Sequence, residues 1–123
     1  MMPASAASEF VDFILEDGWL MCPQELLASM RNPSGRNPRA EAVAVSEALA
    51  NLNDAEALRI VASVLDAATF GFLNGMDSNF KNSGLRASLH FEDDRWDSAD
   101  PQAELHELYR EKVAPDGLIG RLQ

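Results

Sequence analysis

Residues 53–73, NDAEALRIVASVLDAATFGFL, constrain the fold more than any other stretch of the chain. Asn53 is a good helix N-cap, and Glu56 stands three residues on, the spacing of a capping box. The polar residues Glu56, Arg59, Ser63 and Asp66 follow at intervals of 3, 4 and 3, which places them in one narrow stripe of an α-helix. Leu58, Ile60, Val61, Val64, Leu65, Phe70, Phe72 and Leu73 fill the rest of the circumference. Such a helix is expected to be buried on most sides and to form the centre of a helical core. The stripe itself reads as a solvated, self-paired face, with a polar network feeding a binding site as the lesser reading.

The flanking segments supply shorter helices. The first is expected to start at Ser8, with Phe10, Phe13, Ile14 and Leu15 facing inward and Gly18 ending it. Trp19, Leu20 and Met21 form an apolar connector. A second helix opens at Pro23, where proline is tolerated, with Leu26, Leu27 and Met30 inward. The stretch NPSGRNP at 32–38 is a loop, and with Arg31, Arg36 and Arg39 it is the basic zone of the chain. A third helix is expected from Pro38 to Leu52, capped by Asn37, with Val45, Leu49 and Leu52 on one side. Residues 74–84, NGMDSNFKNSG, read as a loop anchored by Phe80. In LRASLHF, residues 85–91, apolar and polar side chains alternate as in a strand. No partner strand is evident, so the segment is expected to be extended, a short helical continuation, or an edge for another chain. The last helix is expected from Asp100-Pro101, with Leu105, Leu108, Tyr109 and Val113 on its apolar face. Pro115-Asp116-Gly117 ends it, and Leu118, Ile119 and Leu122 dock the tail. The expectation is an all-α fold: a single domain, 1–123, of about five helices in a compact bundle.

Charge narrows the function. The chain carries 20 acids against 10 Lys and Arg, a net charge of −10. That excess repels nucleic-acid phosphates and anionic lipids, so neither nucleic acid nor membrane is an expected partner. No apolar run is long enough to span a bilayer, and MMPASAASEF lacks the basic and apolar regions of a signal peptide. With a single cysteine, Cys22, no intramolecular disulfide can form. The expected location is a reducing compartment, the cytoplasm.

The acids concentrate in one place. From Glu92 to Asp116 there are nine acids against Arg95, Arg110 and Lys112. HFEDDRWDSADP, residues 90–101, invites a calcium reading, but a loop starting at Asp93 puts Arg95 at the third position, Ser98 at the sixth and Pro101 inside it. Cys22, His90 and His106 lack paired zinc spacing, so no metal site is expected, and His106 reads as a boundary or surface residue. No nucleophile elbow, P-loop, HExxH or GxGxxG is present. Cys22 lies among apolar residues before Pro23 and reads as an inert thiol. No catalytic residue, cofactor or enzymatic activity is expected.

The acids are ordered, with Asp97, Asp100, Glu104, Glu107 and Glu111 at spacings 3, 4, 3 and 4. Carried on the last helix, this is an acidic ridge beside Trp96. An aromatic among charges suits an interface anchor, and the ridge suits a basic partner. The expected contact residues are Trp96, Asp93, Asp94, Asp97, Asp100, Glu104, Glu107 and Glu111. The alternative is an ordinary solvated face with Trp96 in the core.

In its small size, acidity, helical content and lack of a catalytic motif, the chain resembles the immunity proteins of bacterial toxin systems. That resemblance implies a protein that neutralises a cognate toxin or effector enzyme by occluding its active site. A second reading is a homo-oligomeric regulatory or adaptor module, assembled through 85–91 or 118–122. A third is a small enzyme whose site would be a pocket lined by His90, His106 or Cys22.

Overall fold

The structure is a computed structural model, and it describes residues 5–17, 23–33, 35, 37–115 and 117–118. Its elements are α1 (Ala6–Glu16), α2 (Pro23–Arg31), α3 (Ala40–Ala50), α4 (Asp54–Ser78), a single turn α5 (Phe80–Ser83), β1 (Ser88–Phe91), β2 (Asp94–Asp97) and α6 (Leu105–Val113). The fold is mainly helical, with one small antiparallel hairpin. The expectations for Gly18–Cys22, Arg36, Asp116 and the tail from Ile119 lie outside the described residues.

α4 is the organising element. Asn53 Oδ1 accepts from the Glu56 amide at 2.8 Å, and Asn53 Nδ2 donates to Glu56 Oε1 at 2.9 Å, so the expected cap is present. The C-terminal half of α4 meets α6 and, with α1 and the hairpin, builds the larger core around Val11, Ile14, Leu73, Leu105, Tyr109 and Trp96. Its N-terminal half meets α2, and Leu27, Leu49, Ala57 and Val61 form a smaller core there. Leu65 packs against both clusters.

Several expectations are corrected. α4 is not buried on most sides: Ile60, Val64 and Phe72 are 48%, 63% and 53% exposed. The buried arc of the helix is narrower, with Ala57, Val61, Ala62, Thr69, Leu73 and Met76. Residues 74–84 are not a loop, because α4 runs through Asn74-Gly75 to Ser78 and α5 follows. Burial of Leu73, Met76 and Asp77 holds this turn helical against its weak local propensity. Gly84, at φ 81°, then ends α5 in the left-handed region that glycine adopts freely. α1 is capped by Ser5, not Ser8, with Ser5 Oγ accepting from the Ser8 amide. Phe13 and Leu26, expected inward, are exposed. α3 begins at Ala40 rather than Pro38, and Val45 is exposed while Leu49 is buried.

The extended segment has a partner. β1 pairs with β2 in the register Ser88↔Asp97, Leu89↔Trp96, His90↔Arg95 and Phe91↔Asp94, joined by Glu92-Asp93. The alternation within β1 is as expected, with Leu89 and Phe91 toward the core and Ser88 and His90 outward. β2 escapes sequence reading because DRWD offers only Trp96 as an apolar strand residue. The last helix begins at Leu105, not Asp100. Asp100 instead closes a turn, its amide donating to the Asp97 carbonyl at 3.2 Å.

Candidate functional site

The expected acidic contact surface is divided by the fold. Trp96 is 3% exposed, and its indole Nε1 donates to the Ala103 carbonyl at 2.8 Å. It is a core residue and ties β2 to the approach to α6, so it cannot anchor a surface contact. Asp94 is half-buried and accepts from the Ala6 amide at 2.6 Å, at the positive end of α1. Asp97 lies in β2 and is held by two guanidinium groups. Arg86 Nε donates to both carboxylate oxygens at 3.0 Å, Arg86 Nη2 reaches Oδ2 at 2.6 Å, and Arg95 Nη2 reaches it at 2.7 Å. Hydrogen bonding from Arg86, with the Ala99 amide next, lowers the Asp97 pKa to about 2. The Arg86 pKa is raised in turn by the same contact. Asp94 and Asp97 therefore hold the hairpin in place rather than awaiting a partner.

The helical ridge is shorter than its sequence pattern. Asp97 and Asp100 precede α6, so only Glu104, Glu107 and Glu111 follow a helical course, with Glu104 at the N-cap. All three are exposed, as are Glu92 and Asp93 at the hairpin tip and Asp100 in the turn. Glu92 has φ 53°, a left-handed conformation uncommon for a residue with a side chain.

The residue that sequence reading missed is Asp77. Its side chain, near the end of α4, is 1% exposed. Oδ1 accepts from the Leu105 amide at 2.9 Å, and Oδ2 accepts from the His106 amide at 2.9 Å. These amides belong to the first turn of α6, which has no carbonyl acceptors of its own to satisfy them. Asp77 is thus the cap of α6, supplied from another helix. Glu104, at the N-cap position, makes no side-chain cap bond.

Asp77 also orients His106. Nδ1 of His106 lies 2.5 Å from Asp77 Oδ2. The ring packs edge-on against Phe70, with centroids 5.4 Å apart and planes at 89°. His106 is a buried residue, not the boundary or surface residue expected. Its far nitrogen, Nε2, lies 3.3 Å from Glu104 Oε2 and 3.2 Å from Glu107 Oε1. Arg110 sits over Phe70 at 4.5 Å, with Nη1 3.9 Å from Glu107 Oε1. The expectation of no metal-ligating group rested on paired His and Cys spacing. In space, Glu104, His106 and Glu107 present three ligand atoms all within 4.8 Å of one another. The signal was present as E-x-H-E, because residues at N-cap and N3 of a helix turn toward each other.

The other sequence candidates do not converge. His90 is exposed in β1, its Nε2 3.3 Å from Ser88 Oγ. The stripe of α4 is mostly solvated, as expected, with Glu56, Arg59 and Ser63 exposed, while Asp66 accepts a hydrogen bond from the Tyr109 hydroxyl. No helix among the described residues is long and apolar enough to cross a membrane. The chain matches no protein-family model, no curated protein and no solved structure.

Proposed function

We propose that this chain is a protein-binding module without chemistry of its own, acting in the cytoplasm, and that it neutralises a basic toxin or effector enzyme by covering its active site. The observation that supports this reading is the exposed carboxylate face of Glu104, Glu107 and Glu111 on α6. Glu107 and Glu111 are like charges one turn apart, and Glu111 stands near the negative end of the helix dipole. Both arrangements cost α6 a few tenths of a kcal/mol. A cationic partner converts that cost into attraction, and it accelerates encounter with a protein of net charge −10. Asp100 and the hairpin-tip acids Glu92 and Asp93 extend the charge along the chain leading into α6.

The experiment is affinity capture of native partners with the intact chain, compared with Glu104→Lys/Glu107→Lys/Glu111→Lys. A basic protein held by the first and lost by the second is the expected result. The same partner retained by both excludes this face.

The alternative, a homo-oligomeric adaptor, moves to a different surface. The hairpin consumes one side of 85–91, whereas α4 exposes Ile60, Val64, Ala68 and Phe72 at intervals of four. Four-residue spacing lines these residues along one side of the helix. Solution mass separates the readings: a stable dimer broken by Val64→Lys favours the adaptor.

A further inference from the structure

We infer that Glu104, His106 and Glu107 form a binding site for a divalent transition-metal ion of the zinc class, with Asp77 as the group that orients the histidine. The inference goes beyond the proposed function and stands without it. It begins with the histidine rather than the acids. Asp77 is buried, comes from α4, and reaches Nδ1 of His106 at 2.5 Å. A carboxylate on one imidazole nitrogen fixes the tautomer and presents the other nitrogen as a lone-pair donor, the usual outer-shell arrangement of metal-bound histidine. Nε2 then points to the side where two exposed carboxylates stand.

The spacing suits a small tetrahedral ion. Ligands at about 2.0–2.2 Å from zinc are separated by about 3.3–3.6 Å along the edges of a tetrahedron. The two edges from His106 Nε2 are 3.3 and 3.2 Å, and all three ligand atoms lie within 4.8 Å of one another. Imidazole with carboxylates selects zinc and its neighbours over magnesium and calcium, which take oxygen ligands. Three protein ligands leave the fourth position to water. Arg110, 3.9 Å from Glu107 Oε1, competes weakly for that oxygen and can stay over Phe70 when the ion binds. Binding joins the N-cap, N2 and N3 residues of α6 and neutralises the carboxylate pair.

The competing account is a protonated His106 simply paired with its carboxylates. Titration of the metal-free chain with Zn2+ distinguishes them, followed by calorimetry and by the imidazole NMR signals. The two histidines, His90 and His106, make the spectrum simple. One saturable site is expected, with the His106 signals moving and those of His90 unchanged, and with a higher Tm in Zn2+. Glu104→Gln/Glu107→Gln, at two exposed positions, keeps the fold and should lose at least about tenfold in affinity and the Tm gain. Unaltered Zn2+ affinity in that variant, stationary His106 signals, or equal affinity for Ca2+ overturns the site.

Discussion

At the scale of single residues, two carboxylates show how environment decides role. Asp97 is held well below the usual carboxylate range, chiefly by the Arg86 hydrogen bond. Its folded pKa lies below its unfolded value, so its contribution is complete above pH ~4 and disappears as pH falls through about 2. NMR of the β1–β2 amides should show the hairpin loosening over that window, and Asp97→Asn should show a weakened hairpin already at neutral pH. Glu92 is the opposite case, a residue in the left-handed region at the hairpin tip. Replacing it with Gly or Asn, which tolerate positive φ, should stabilise the protein by about 1 kcal/mol, read from chemical denaturation.

At the scale of elements, the two well-marked helix starts differ in where their caps come from. Asn53 and Glu56 are three residues apart, so the start of α4 was legible in sequence. The cap of α6 comes from Asp77, 28 residues before Leu105, and no local pattern could reveal it. Asp100-Pro101 gave a false start because its local chemistry suits a cap, while the donors that needed one lay four residues later. The same distance dependence hid β2, whose strand character rests on pairing with β1 and on the burial of Trp96. It also hid which acids are used internally: Asp93, Asp100, Glu104, Glu107 and Glu111 are exposed, whereas Asp94 and Asp97 make internal contacts and Trp96 lies in the core. Asp77→Ala leaves the Leu105 and His106 amides and His106 Nδ1 without an acceptor. A loss of about 2–5 kcal/mol is expected, measured by urea unfolding with an unchanged m value.

At the scale of the molecule, the mainly helical fold carries two unequal cores strung along α4. Leu73 belongs to the larger one and is fully buried. Leu73→Ala should cost about 2–5 kcal/mol by removing apolar volume and leaving a cavity, measured as a drop in unfolding free energy. The exposed arc of α4 was not legible, because hydropathy reports which faces are apolar and not which of them are buried. Asp77 carries a consequence for synthesis. As the chain leaves the ribosome, α4 emerges with a carboxylate aimed at amides not yet made, and Leu73 and Met76 wait beside it. α1 and the hairpin pack into the same larger core, which has no floor until residues 105–113 arrive. Folding of that half is therefore a late, single closure, and a nascent chain halted before Leu105 should be the form that proteases and chaperones find most easily.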